Sequence, residues 1–380
     1  MIDETRLAGV DPYDALRSPR LPGFVRDSAR LRQLAVQLRK RVPFDLAPLL
    51  GIEPFIMAKT VGCFLAGEAR RIEAGVTEPT AGSESVSVLV GVLDRCEGKV
   101  GGGGWGYEFD VQTRWAFYPR GSANLIATVF VARGLLEAGI ALANESLIAR
   151  AHESAEFLVC TLWDEEGECF RYTPGSGTLI HNANYLGAGL VAAIGRIHGD
   201  ESMSHIASRA LATSRSAQRV EGWWPYGQGA GLEWIDSFHT AYNLDGLLTA
   251  MLCGVDGAAD SFRLGMADWQ AHFFDRDGRP YYYRDKPGPA EIHAAATAVD
   301  VLARWAVLSG DATLARTVAT WVRNHLVAPD GTTMYRSGGS VPDRRHFVRW
   351  GDAHWALATG SLACLDAGKR TPLERRLGDV

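Results

Sequence analysis

The sequence predicts an all-α (α/α)6 toroid: six helical hairpins in a ring, with long loops and short β-hairpins on one rim. Three observations predict it. The frame His-x-Ala recurs at His181, His239, His293 and His354, spaced 58, 54 and 61 residues apart, as a helical repeat requires. Each frame opens a stretch rich in Ala, Gly and Leu, whereas the intervening segments carry a charged face. Small residues on several sides suit helices packed from more than one direction, and one charged face suits helices with a side in water. Finally, the connections alternate short and long. A ring lets inner helices bury both flanks and outer helices one, and six pairs in 380 residues favour it over an open solenoid.

In chain order, residues 1–22 read as an N-terminal arm whose Asp11-Pro12-Tyr13-Asp14 lies over the body, 23–370 as the toroid and 371–380 as a tail. Outer helices are expected at 25–41, 84–96, 146–162, 201–219, 258–273 and 311–326, and inner helices at 54–70, 124–138, 185–197, 242–253, 297–308 and 355–365. Inner-to-outer turns are short, as at Gly199-Asp200 and Gly310-Asp311. Outer-to-inner loops are long, at 97–121, 163–180, 220–238, 275–292 and 328–349, and each precedes an inner helix, so all five gather on one rim. Long loops grouped on a rigid scaffold are where function is built.

Composition excludes several classes. With 47% hydrophobic and 22% charged residues the chain is an ordinary globular one. Its net charge of −5 and the absence of a basic stripe speak against a nucleic-acid partner. No apolar segment reads as a signal peptide or membrane span. The six cysteines are scattered, without a C-x-x-C pair, and read as reduced residues of a cytoplasmic protein.

The rim loops are rich in aromatic rings, among them Trp105, Tyr107, Trp224, Trp234, Tyr283 and Trp350, interleaved with Asp110, Arg114, Arg120, Asp236 and Arg349. Any one ring could simply plug the toroid. Together with the ionisable groups they describe a cleft that stacks an amphipathic ligand. Five helix N-termini and several arginines would favour an anionic group on that ligand. Asn124, Asn182 and Asp352 read equally well as helix caps, but histidine caps poorly, so the repeated frame predicts that at least three of the four histidines face the cavity. No compact ligand spacing indicates a metal, and Gly101–Gly104 lacks the Lys-Ser/Thr of a phosphate loop. No cofactor is expected.

The strings Asp11-Pro12-Tyr13-Asp14-Ala15-Leu16, Trp105-Gly106-Tyr107-Glu108-Phe109-Asp110, His181-Asn182-Ala183-Asn184, the segment 234–244 and Ile292-His293-Ala294-Ala295-Ala296 resemble a bacterial family of six-hairpin toroids associated with polysaccharide biosynthesis and often described as prenyltransferase-like. The segment 234–244 is also similar to the helical domain of glucuronyl C5-epimerases. This resemblance implies a carbohydrate context. More distantly the chain resembles terpene cyclases and prenyltransferases: Gln218, Gly222 and Trp224 fit one Q-x3-G-x-W repeat, but no D-x-D-D or D-D-x-x-D follows.

Joined to the rim chemistry, the carbohydrate context gives an expected enzyme of glycan or sugar-acid metabolism that binds an anionic small molecule or oligosaccharide. The expected chemistry is acid/base: epimerase, lyase or hydrolase. Asp236, His239, Asp110, Tyr242 and Tyr107 are the candidate catalytic groups. Trp105, Arg114, Arg120, His181, Asn184, Trp224, Trp234, Tyr283, His293, Arg349, Trp350 and His354 are the candidate binding groups. A cyclase with Asp236 as proton donor and a non-catalytic glycan-binding scaffold are the alternatives.

Overall fold

The computed structural model describes residues 4–113, 116–338 and 342–378. Three helices, α1 (Gly23–Asp27), α2 (Ala29–Arg41) and α3 (Ala47–Leu50), follow the arm. The ring then runs α4 (Ala58–Ala74), α5 (Pro79–Asp94), α6 (Leu125–Ala141), α7 (Glu145–Phe157), α8 (His181–His198), α9 (Glu201–Arg215), α10 (Ser237–Leu252), α11 (Ala258–His272), α12 (Ile292–Ser309), α13 (Thr313–Leu326) and α14 (Asp352–Asp366). A last helix, α15, covers Pro372–Gly378.

The even-numbered helices α4 to α14 are the inner ones, and α4 packs against both α6 and α14, which closes the ring. Glycine permits that closure. A Cβ on Gly62 would lie 2.5 Å from the Phe130 carbonyl oxygen of α6, and one on Gly67 would lie 2.6 Å from the Ala356 carbonyl oxygen of α14. Only a residue without a side chain lets these backbones touch. Each odd-numbered helix from α5 to α13 packs on the inner helix before it through a short turn, and polar residues end two of the turns: the side chains of Asn144 and Asp200 cap α7 and α9.

Helix α2 departs from the expected plan. Its amphipathic pattern predicts an outer helix, yet it packs on the 3-10 turn Asp14–Arg17 and the strand Val111–Gln112. Only Val36 and Arg39 of it are fully buried. An apolar stripe shows that a face is covered, not by what, and here the covering surface is the arm. The five outer helices that remain leave α15 to pack across α4, α6, α8 and α10 at the closed end. Helix α12 alone among the described residues is long and apolar enough to cross a membrane, and 78% of that stretch is buried within the ring.

The closed end of the lumen holds a lattice of buried ion pairs. Arg70 binds Glu137 through two bonds of 2.7 Å and Asp300 at 2.6 Å. Arg133 reaches Glu137 at 2.9 Å and both oxygens of Asp245. Arg304 joins Asp245 and, at 2.6 Å, Glu374 of α15. Burial alone would push the Glu137 carboxyl up, but Arg70 and Arg133 hold it below its usual range.

Candidate active site

At the other end the long loops open a cavity of about 990 Å³. Two-residue antiparallel strand pairs stiffen its rim, the hairpin of Val111–Gln112 with Phe117–Tyr118 and the long-range pair of Ala290–Glu291 with Arg336–Ser337. Its walls are aromatic. Tyr226 stacks on Trp234 with centroids 4.2 Å apart, and Tyr13 of the arm stacks on Trp350 at 5.6 Å. The Tyr107 and Tyr172 hydroxyls are 3.2 Å apart. Six cationic side chains line the space, Lys40, Arg41, Lys59, Lys286, Arg336 and Arg349, against one acid, Glu233. Of the six, Arg349 is matched by Asp11 of the arm at 2.6 Å.

The floor is built near the N-termini of four inner helices, α4, α10, α12 and α14, with Phe130 of α6 beside them. The Tyr242 hydroxyl of α10 lies 2.8 Å from Nε2 of His293 on α12 and 3.4 Å from Nε2 of His354 on α14. Lys59 of α4 donates to the same hydroxyl at 3.2 Å, with its ammonium 4.3 Å from the Phe130 ring centre. Burial, helped by Arg349, lowers Lys59 to about 7. Burial also holds His293 and His354 well below the usual imidazole range, so both are neutral at pH 7, and drives Tyr242 well above the phenol range.

On the wall stands a third imidazole. His239 Nδ1 lies 2.7 Å from Asp236 Oδ2, while Asp236 Oδ1 accepts the His239 backbone N–H at 2.9 Å. Asp236 therefore caps α10 and orients the ring, leaving Nε2 as the basic nitrogen toward the cavity. Two further carboxyls cap inner helices near the floor. Glu108 accepts the Ala58 N–H at 2.7 Å and Glu291 the His293 N–H at 3.4 Å, and burial raises both to about 7.

The structure brings together Tyr107, Trp234, His239, Tyr242, Tyr283, His293, Arg349 and Trp350 on the cavity lining, with Asp236 behind His239 and His354 beneath Tyr242. Other expected residues lie elsewhere. Asp110 accepts the Arg120 N–H and Arg120 pairs with Glu97, both at the exposed surface. Trp105 and Trp224 are core residues. Asn184 ties the Phe170 N–H to Ala210 and Ser214 of α9. Arg114 lies outside the described residues.

His181 also turns away from the cavity. It is the first residue of α8 and its Nδ1 lies 3.0 Å from Ser214 Oγ of the outer helix α9. His239 and His354 are third residues of their helices. A two-residue offset rotates a side chain by about 200° at roughly 100° per residue, which puts His181 on the outward face. His239 and His293 line the cavity and His354 lies beneath Tyr242, whereas His181 does not join them. Lys59 went unnoticed because the frame was read from histidine. It is the second residue of α4, as His293 is of α12, and the repeat position was the signal that could have found it.

No family model matches the chain, and no curated protein sequence matches it. Solved structures do. A cellobiose 2-epimerase from Bacillus thermoamylovorans superposes with a TM-score of 0.62 at 11% identity over 82% of this chain and 88% of that one. A D-mannose isomerase gives 0.62 at 9% identity over 80% and 87%. An unsaturated glucuronyl hydrolase from Bacillus sp. GL1 gives 0.51 at 16% identity over 62% and 73%. At such identities the likeness is one of architecture: this chain has the (α/α)6 toroid fold found in carbohydrate-active enzymes.

Proposed function

We propose that the chain is a carbohydrate-active enzyme that binds an anionic sugar in the central cavity and moves a proton next to its carbonyl or carboxylate, as an epimerase, isomerase or lyase. The observation that carries this reading is the pairing of two imidazole systems around a cationic, aromatic-walled cavity. His239 Nε2 is presented from the wall by Asp236, and the His293–Tyr242–His354 group lies on the floor. A base and an acid approaching from different sides can take a proton from one face of a carbon and return one to another. Lys59 and Arg349 stand where negative charge on an enolate-like oxygen would be stabilised. Tyr226 stacked on Trp234 and Tyr13 on Trp350 offer flat faces to a sugar ring.

Hydrolysis receives less support, because a two-carboxylate mechanism needs a pair in the cavity and Glu233 is the one acid among the described lining residues. A cyclase with Asp236 as proton donor receives less still, since both its oxygens are engaged by His239. The neighbouring folds named for epimerase and isomerase activity agree with proton transfer. The test is solvent exchange. In D2O, a panel of aldoses, ketoses and uronic acids should show a carbon-bound proton replaced by deuterium with the wild-type chain and none with His293→Gln. Cleavage of a glycoside without such exchange would replace this reading with hydrolysis.

A further inference from the structure

The N-terminal segment offers a surface that the proposed chemistry does not use. Eleven large apolar side chains are left exposed among the described residues, and five of them, Phe24, Leu34, Leu38, Phe44 and Leu49, fall between residues 24 and 49. Each of the five is more than half exposed, so they are not partly covered core residues. The same stretch is basic. From Ser28 to Phe44 it carries Arg30, Arg32, Arg39, Lys40 and Arg41 with no Asp or Glu.

Helical geometry separates an outer stripe from a buried face. At roughly 100° per residue, Arg30, Leu34, Leu38 and Arg41 share one stripe within about 80°, and all four are exposed. Val36 and Arg39 form the buried face, where Arg39 meets Asp14 at 3.2 Å. Gln37, Lys40 and Arg41 reach the cavity lining. Helix α2 therefore carries, at the edge of the cavity mouth, an apolar stripe with an arginine at each end, Arg41 being shared with the cavity lining. Leucines interleaved with arginines, and no acids between them, match a surface that is apolar within and anionic at its boundary. A second copy of the same basic face would meet it with like charge.

We infer that the outer face of α2, with the exposed Phe24, Phe44 and Leu49 of its flanking segments, docks the protein peripherally on an anionic lipid bilayer. The leucines enter the headgroup and acyl boundary while Arg30 and Arg41 meet lipid phosphates. Docked in this way, the cavity mouth opens next to the membrane surface.

Co-sedimentation of the full chain with extruded vesicles tests this, comparing phosphatidylcholine alone with an equal mixture of phosphatidylcholine and phosphatidylglycerol. The chain should pellet with the mixed vesicles and not with the neutral ones, and high salt should weaken the binding. The Leu34→Glu/Leu38→Glu double variant should bind at least about 10-fold more weakly, as expected when two buried leucines are lost. Arg30→Glu should weaken binding while leaving the melting temperature unchanged, which separates docking from folding. Three results would each overturn the inference: no pelleting with the mixed vesicles, binding indifferent to both variants, or a wild-type dimer in light scattering that the double variant dissolves.

Discussion

The two ends of the lumen are built from the same six helices and both are lined with charge, yet they are opposite in kind. At the closed end Arg70, Arg133 and Arg304 meet Glu137, Asp245, Asp300 and Glu374 within hydrogen-bonding distance. At the open end six cations face one acid, and two imidazoles and a phenol hydrogen-bond mostly among themselves. Matched charge holds helices together, whereas unmatched charge waits for a ligand. The comparison separates residues that should matter to stability from residues that should matter to turnover.

The largest expected effect is at the closed end. Glu137→Gln leaves Arg70 and Arg133 short of a carboxylate in a dry interior, and removing one partner of such a pair costs about 3–5 kcal/mol. Chemical denaturation should show that loss, with KM of the surviving folded enzyme unchanged. Asp236→Asn should do the reverse. Asparagine keeps much of the cap but no longer fixes the His239 tautomer, so kcat should fall by about 10²–10³-fold while the melting temperature barely moves. Unchanged activity would reduce Asp236 to a cap.

Titration of stability should distinguish the ends next. Glu108 and Glu291, raised to about 7 from 4.5, hold protons in the folded chain that the unfolded chain releases, so stability should fall as pH rises from 4.5 toward 7. Lys59, lowered to about 7 from 10.5, loses its proton above pH 7 in the folded chain while the unfolded chain keeps it up to 10.5, so stability should rise again between 7 and 10.5. Closed-end Glu137, held low, contributes stability above its unfolded value that is lost on acidification below 4.5. Lys59→Met should abolish the alkaline rise in the melting temperature and leave the acid limb in place. The smallest effect is at the mouth, where Arg336→Ala should raise KM about 10-fold, the worth of one charge-assisted contact, with kcat and stability near wild type.

Inner helices, short turns and the rim of long loops were legible in the sequence because each rests on composition and spacing. Side-chain direction was not. His181 and His239 share a frame but begin their helices two residues apart, and that offset sends one into the α8–α9 interface and the other into the cavity. Asp110 and Asp236 looked alike as loop carboxylates, yet one bonds a loop N–H at the surface and the other orients an imidazole. Such differences arise from where a loop folds back, which no local period encodes. Helix α2 carried a readable apolar stripe, but the identity of its partner is a tertiary fact.

Ring closure also sets an order on folding. Arg70 is bonded to Ser361, 291 positions further along the chain, and Arg304 to Glu374. During synthesis, the first inner helix is made with its arginine lacking that partner until nearly all the chain has emerged. Contacts of such long sequence separation are slow to form, and intermediates that expose unclosed apolar flanks are prone to associate. A chain stopped short of residue 361 would leave α4 without one neighbour and the ring as an open crescent, so the last fifth of the sequence governs whether the first fifth stays soluble.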